Sequence, residues 1–395
     1  MILGIVNNYS YGNYLRDMKL SEDEVQVLDV LRRFAETEVK PLAKEIDKTK
    51  SVPEKIISRM RELGLFASYI PTEYGGAGLS FTFLVNAIEI LSSACASTAL
   101  VLDGAETLFA EPIMMFGSHE LKQKYLTQVA EGAVGGLAIT EPGAGSDAAS
   151  IRTTATRKGD VYVINGTKTF ITNGRISKFF VFDAVTDSTK GHRGITTFVI
   201  DTGTPGFHIS KDIEKMGIRG SSTVELVFEN AEVPASNIVG KENEGFKVIM
   251  ETLDAGRVGI AAQAVGIAKS ALDEAIAYAR ERKQFGQPIT EFQGIQFMIA
   301  DMATQLEAAR LLTYAAAEAW EERKDSVRLS SMAKMFASDV AMKVTVEAQQ
   351  LFGGYGYTTD FDAERHVRDA KITQIYEGTN QIQRVIIARE TLRRL

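Results

Sequence analysis

The sequence predicts an α+β protein in three parts: an N-terminal helical domain, a central antiparallel β domain and a C-terminal four-helix bundle. Three observations predict it. Apolar residues recur at helical spacing up to residue 133, short β-branched and aromatic runs occupy 134 to 243, and helical spacing returns from 244 to 395. A chain of 395 residues exceeds what one hydrophobic core usually serves, so several units are expected. The α-β-α order, unlike alternating βα units, argues against a doubly wound sheet.

Residues 1–19 read as an N-terminal extension, poorly ordered over its first 16 residues, where Asn7, Asn8, Ser10 and Asn13 interrupt any secretion-type apolar run. The helical domain, 20–133, opens at Ser21, a capping residue with Glu24 three positions on. Val27, Leu28, Leu31, Phe34 and Ala35 follow at helical spacing. Pro41, Pro53, Pro71 and the stretch Tyr74-Gly75-Gly76-Ala77-Gly78 divide the domain into short helices.

The β domain, 134–243, contains Val161 to Ile164, Phe179 to Val185, Ile195 to Ile200 and Thr223 to Glu229. Asn165-Gly166, Gly191, Pro205-Gly206 and Gly217 separate these runs. Spacing this close leaves no room for crossover helices, which predicts an antiparallel or meandering sheet. From 244, Ala261, Val265, Ala268, Leu272, Ala275 and Ala279 form one apolar stripe, and Ile295, Met298, Met302, Leu306 and Ala309 a second. Breaks at Phe285-Gly286-Gln287-Pro288, Lys324-Asp325-Ser326 and Gly353-Gly354 make four long segments, which predicts the bundle.

Composition excludes several functions. A formal charge of −7 supplies no basic field for nucleic acid. The lone cysteine, Cys95, cannot form an internal disulfide, which suits a reducing, cytoplasmic setting. His119, His192, His208 and His366 are too scattered for a zinc motif, and no metal is expected. No run approaches the roughly twenty apolar residues that span a bilayer, so no membrane insertion is expected.

Five stretches could carry chemistry. Thr140-Glu141-Pro142-Gly143-Ala144-Gly145-Ser146-Asp147 contains a dinucleotide-like glycine pattern, but Ser150 to Thr156 reads as extended where a dinucleotide fold needs a helix. It is either a surface turn or a loop whose hydroxyls and N–H groups hold a cofactor. In Lys168-Thr169-Phe170-Ile171-Thr172-Asn173-Gly174, Phe170 and Thr172 sit two apart, hence on one face of a strand, as stacking and hydrogen bonding to a flat cofactor would need. Arg280 to Gly286 ends a long helix, where cations complement the dipole or bind an anion. Gln350 to Gly356 holds three glycines in four positions, more than a C-cap needs, which permits close backbone approach to a ligand. In Ile375-Tyr376-Glu377-Gly378-Thr379-Asn380-Gln381, Glu377 is a solvated loop acid unless a ligand beside it makes it a general base.

Taken together and in order, the strings TEPGAGSD, FITNG, RKQFG, LFGGYG and RDAKITQIYEGTNQIQ resemble the signatures of the acyl-CoA dehydrogenase family, from about Leu20 to the end. Within that family the resemblance is to the short-chain, butyryl-CoA or alicyclic acyl-CoA branch. It implies an FAD flavoprotein, a homotetramer, and flavin at the junction of the β domain and the C-terminal bundle. It further implies that Glu377 removes the α proton of an acyl-CoA thioester, that the β hydrogen leaves as hydride to flavin N5, and that electrons pass to electron-transferring flavoprotein.

Carried over onto this chain, Thr140 and Ser146 match positions near the isoalloxazine and its phosphates. Thr172 matches a hydroxyl near flavin N5, and Phe170 replaces a frequent tryptophan, keeping the stacking surface and losing the indole donor. Arg282, Phe285, Gln350 and Gly354 match contacts to the FAD of a neighbouring subunit, and Thr379 and Gln381 match further flavin contacts. Ser146, Asp254, Arg257, Tyr376 and Gly378 match substrate-side positions. Some relatives carry the base at the position of Gly256, where glycine cannot serve.

Asp103 and Glu106 interrupt an apolar segment and, three apart on a predicted helix, should share one face. In family alignment this stretch lines the acyl pocket, where a carboxylate is costly unless paired or used. Either they are structural acids, or Asp103, with Glu106 one turn away as the substitute, is a polar or second proton-accepting group suited to an alicyclic acyl-CoA. Three other functions stay open: an acyl-CoA oxidase, an enoyl-CoA reductase, and a non-catalytic scaffold that binds CoA thioesters.

Overall fold

The computed structural model describes residues 20–394, so the N-terminal extension lies outside the described residues. The N-terminal unit comprises α1 (Glu22–Phe34), α2 (Ala43–Thr49), α3 (Glu54–Glu62), α4 (Phe81–Ala94), α5 (Ala96–Asp103), α6 (Glu111–Phe116) and α7 (His119–Ala130). Ser21 and Glu24 form the expected capping box, with Ser21 N–H donating to Glu24 Oε2 at 2.8 Å and Glu24 N–H to Ser21 Oγ at 3.2 Å. Leu28, Leu31, Phe34 and Ala35 are buried, whereas Val27 lies off that face and is exposed. Between α5 and α6 the chain forms a π-helical segment, Gly104–Ala110, buried along its whole length.

The β domain holds β1 (Val134–Ala138), β2 (Thr154–Lys158), β3 (Val161–Thr172), β4 (Ser177–Val185), β5 (Ile195–Asp201), β6 (Phe207–Asp212) and β7 (Thr223–Pro234). They form one sheet in the order β1-β4-β2-β3-β7-β6, with β5 also on β4. The β2/β3, β3/β7, β4/β5 and β6/β7 ladders are antiparallel as expected. β1 runs parallel to β4, because the β2–β3 hairpin between them brings the chain back to the starting edge. Asn165-Gly166 is a second difference: β3 runs through it, and a register shift at Ile164/Asn165 absorbs the irregularity that reads as a turn. Phe182, Phe198, Phe207 and Phe228 fill the core of this domain.

The C-terminal unit contains α8 (Gly245–Glu281), a small hairpin of β8 (Lys283–Gln284) and β9 (Gln287–Pro288), α9 (Gln293–Glu321), α10 (Ser326–Leu351), α11 (Ala363–Thr373) and α12 (Asn380–Leu392). All six residues of the first predicted stripe on α8 are buried. The fourth segment is two helices rather than one. Glu377 and Gly378 adopt φ of 51° and 92°, a left-handed turn that cannot continue a helix. The N- and C-terminal helices share a single hydrophobic core, in which α4 lies against α8 closely enough that a Cβ on Gly266 would stand 2.5 Å from the Glu89 carbonyl oxygen. Among the described residues, no helix is long and apolar enough to cross a membrane.

Candidate active site

The middle of α8 is the floor of the site. Its sequence there, Asp254-Ala255-Gly256-Arg257-Val258-Gly259, puts two glycines three apart on one helix face. A Cβ on Gly256 would stand 2.1 Å from Glu377 Oε2, and one on Gly259 would stand 2.1 Å from Asp103 Oδ1. The two carboxylates therefore lie over one face of α8, each above a recess whose Cβ position is about 5–6 Å from the other, the usual spacing of such positions. Both glycines serve as recesses for an acid from another element.

Glu377 and Asp103 reach this floor from opposite sides. Glu377 stands on the left-handed turn between α11 and α12, and its Oε2 is buried without a hydrogen-bond partner. Tyr376 is tied to α8 by its hydroxyl, which donates to Gln263 Oε1. Asp103 is the last residue of α5 and is fully buried; Thr107 donates to its Oδ1 at 2.9 Å, while Oδ2 has no partner. Glu106 diverges from it, accepting from Ser68 Oγ at 3.2 Å and the Tyr69 N–H at 3.5 Å. The expectation that Asp103 and Glu106 share a face fails because the wider π-helical turn begins at Gly104, which takes a three-residue step away from one full turn.

Burial drives the electrostatics. The Glu377 carboxyl is pushed well above the usual carboxylate range, first by loss of water and then by the charge of Asp103, with Lys334 and Arg257 pulling against both. Asp103 is raised by burial, and the Thr107 hydroxyl offsets part of that rise. Two like charges this close in a dry site share one proton more readily than they both ionise. Arg257 forms a buried ion pair with Asp254, whose carboxyl burial raises to about 6. The pair places a cation near Glu377 at a desolvation cost that the contact with Asp254 offsets only in part.

The β domain closes the site from the third side. A Cβ on Gly104, next to Asp103, would lie 3.8 Å from Thr172 Cγ2 and 2.7 Å from Asn173 Nδ2. Thr140 is joined to the same strand by the Thr169 N–H, which donates to the Thr140 carbonyl at 2.8 Å. Beneath this loop the buried Lys168 ammonium bonds Glu141 Oε1 at 2.8 Å, and Glu141 also accepts the N–H groups of Arg152 and Thr153. Ser146 is exposed beyond a turn closed by the paired Glu141 and Ala144 backbones. Phe170 has φ of 60° and is 63% exposed, so a bulge, not simple alternation, aims its ring outward.

Of the remaining expected residues, Gly378 and Thr379 continue the Glu377 turn, and the Thr379 hydroxyl caps α12 by accepting from Ile382 N–H at 3.3 Å. Gln381 is exposed on the first turn of α12. Arg282, Phe285, Gln350 and Gly354 are not part of this cluster. Arg282 lies 26 residues along α8 from Gly256, roughly 39 Å at about 1.5 Å per residue. There Arg282, Gln350, Gly353, Gly354 and Tyr355 line an open cleft of about 520 Å³, with Phe285 94% exposed nearby in sequence.

Sequence reasoning missed Lys334 and Gln383. Lys334 falls on the buried face of α10 with Ser330, Ala337 and Ala341, so a cation inside an apolar helical stripe was the available signal. Gln383, on α12, donates to the carbonyls of Glu377 and Gly378 at 3.2 and 2.9 Å.

Residues 21–133, 136–231 and 243–392 match the family models of the acyl-CoA dehydrogenase N-terminal, middle and C-terminal domains. The short-chain specific acyl-CoA dehydrogenase of Clostridium acetobutylicum is 47% identical over 378 residues, covering 95% of this chain and 100% of the relative. Butyryl-CoA dehydrogenase from Megasphaera elsdenii superposes with a TM-score of 0.93 at 43% identity, covering 95% of this chain and 99% of that one. A chain from a structure concerned with the electron transferring flavoprotein of Acidaminococcus fermentans and flavin-based electron bifurcation matches with a TM-score of 0.93 at 50% identity, over 95% and 99% of the two chains.

The two kinds of glycine on α8 predict opposite responses. In Gly256→Ala the new methyl meets the movable ends of Glu377 and Leu108, while alanine gains about 1 kcal/mol of helix propensity, so the thermal midpoint should hold or rise. In Gly266→Ala the methyl meets the α4 backbone, and overpacking should cost about 1–3 kcal/mol. Thermal unfolding of both variants checks the order, and a larger loss in Gly256→Ala than in Gly266→Ala would mean that the Glu377 carboxyl is held too firmly to give way.

Proposed function

Because the chain belongs to the acyl-CoA dehydrogenase family, an FAD-dependent family, we propose that Glu377 is its catalytic base and that it desaturates a short-chain or alicyclic acyl-CoA at the α,β bond. The observation that carries this reading is the Glu377 Oε2, buried and without a partner over Gly256, in a site dry enough to raise its basicity. An acyl α C–H is a very weak acid, so a base whose basicity is raised toward neutrality is better matched to it. The thioester carbonyl needs a hydrogen-bond donor as enolate charge develops, and the backbone N–H of Glu377 is the group we assign. When bound, FAD supplies the two-electron acceptor for the β hydrogen.

The residues fit that cofactor in two separate places. Phe170 offers an outward ring two residues before Thr172; Thr140 and Ser146 lie on the adjoining loop, and Thr379 and Gln381 stand on the Glu377 side. Arg282, Gln350 and Gly354 line a second, open and cation-bearing cleft, with the exposed Phe285 three residues beyond Arg282 and nothing within 4 Å of a Cβ built on Gly353 or Gly354. Arg282 at that cleft lies roughly 39 Å along α8 from Gly256 beneath Glu377, which supports a homotetramer in which the second cleft serves a neighbour's FAD. Electron-transferring flavoprotein as acceptor is supported by the Acidaminococcus match. A cytoplasmic setting suits the single, buried Cys95. Arg257, with Asp254, Tyr376 and Gly378, borders the substrate side.

The substrate class divides on Asp103. The similarity to short-chain and butyryl-CoA dehydrogenases supports a small acyl group. The unpaired Asp103 Oδ2 favours a ring or a polar acyl end that can use a second carboxylate.

Three outcomes test this reading. Glu377→Gln should keep FAD and bind butyryl-CoA yet lose anaerobic bleaching of the flavin by about 10²- to 10⁴-fold or more; substantial remaining turnover would sink the assignment. Asp103→Ala should impair bleaching by cyclohexanecarboxyl-CoA more than by butyryl-CoA, and equal small effects would return Asp103 to a structural role. Arg282→Ala should release FAD on dilution, because an arginine contact to pyrophosphate is charge-assisted and often bidentate. A fully flavinylated tetramer by light scattering would leave Arg282 as a helix-end cation alone.

A further inference from the structure

Lys334 is a cation in a place where burial alone would forbid one. It is 0% exposed, on α10, and its ammonium donates to the Gly378 carbonyl at 2.8 Å and to Asn380 Oδ1 at 3.0 Å. Both acceptors are neutral amide oxygens. An uncharged donor could make the same two bonds without the cost of burying a charge, so the charge itself needs a reason. The acid whose charge favours the Lys334 ammonium is Glu377, the residue that precedes Gly378 in the turn.

The turn also needs a clamp. Glu377 and Gly378 both have positive φ, a conformation that costs energy at a glutamate and persists where surrounding groups overdetermine it. Lys334 supplies one such group and Gln383 another, both donating to the Gly378 carbonyl. Asn380, which also receives Lys334, is itself held by Ser338 and Asp339, so the clamp is seated on α10.

We propose that Lys334 is the positioning residue of Glu377: its ammonium locks the Gly378 carbonyl, fixing the turn on which the base stands, and supplies the positive charge that the base faces from α10. The proposal rests on the assignment of Glu377 as base. The charged and titratable groups around Glu377 are Asp103 on α5, Arg257 with Asp254 on α8, Lys334 with Asp339 on α10, and the adjoining Tyr376. Burial and Asp103 favour the protonated base; Lys334 and Arg257 favour the carboxylate. Burial also pushes the Lys334 ammonium down to about 7, so its charge is present below that pH and is lost as pH rises through it. Removing the cation therefore raises the basicity of Glu377 further, and the carboxylate forms at higher pH.

The test uses FAD-loaded enzyme with butyryl-CoA for turnover and 3-thiabutanoyl-CoA for proton transfer alone, since that thioester has an acidified α C–H and no β hydrogen. Lys334→Met should keep its FAD, shift the acid limb of kcat and of enolate formation to higher pH by about one unit or more, and lower kcat by about 10²-fold with little change in KM. Lys334→Gln, which keeps a donor and removes the charge, should show the same shift with part of kcat recovered, and it carries the test if the methionine variant does not fold. Asp103→Asn should move the limb the opposite way. Wild-type acid limbs and kcat within about two-fold in both lysine variants would overturn the proposal. Turnover by Glu377→Gln would instead overturn the base assignment, whereas an inactive Glu377→Gln beside wild-type lysine variants removes Lys334 alone.

Discussion

Two carboxylates rest on one face of α8, and the helix can receive them because Gly256 and Gly259 carry no side chain there. The rest of the site follows from that constraint. The acids come from opposite ends of the sequence, Asp103 and Glu377, so the N-terminal and C-terminal helices must share one core to bring them together. Alanine and glycine along α8 permit that sharing: Gly266 against the α4 backbone sets a distance that a larger residue would open.

The charge of Asp103 raises the proton affinity of Glu377, and the protein answers with two buried cations. Arg257 is paired within α8, while Lys334 is bonded to the turn itself. One site thus contains opposing electrostatic pressures in which burial and Asp103 outweigh the two cations, so a change of one neighbour moves the titration of the carboxyl group. The left-handed turn at Glu377 is the mechanical counterpart. It ends α11, starts α12 and turns the acid back toward α8 in a few residues.

The β domain is attached by charge as well as by apolar contact. Lys168 and Glu141 pair in its interior and tie the Thr140 loop to β3. Arg368 of α11 bonds Asp47 of the N-terminal unit and the Met216 carbonyl of the β domain, joining all three units at one side chain. The Lys168–Glu141 pair is buried and the Arg368–Asp47 pair partly so; such pairs add little net stability against apolar substitutes, and losing one partner is costly, which suits the holding of three domains in one register.

The sequence by itself determined the order of helical and β units, the Ser21 cap, the apolar stripes of α8 and α9, and a set of motifs specific enough to carry the family and its FAD. These are local or periodic properties, written by adjacent residues or by repeats of 3.6 and 2. It misplaced what depends on partners distant in sequence. β1 lies parallel to β4 because the β2–β3 hairpin intervenes; β3 passes through Asn165-Gly166 because a bulge fits there; Asp103 and Glu106 separate because a π-helical turn follows Asp103. Only the tertiary structure decided that Glu377 faces Asp103, and that Lys334 stands behind both the turn and the charge. A residue's burial and the identity of its charged neighbours are set by which helices meet, and no pattern along a single helix contains that information.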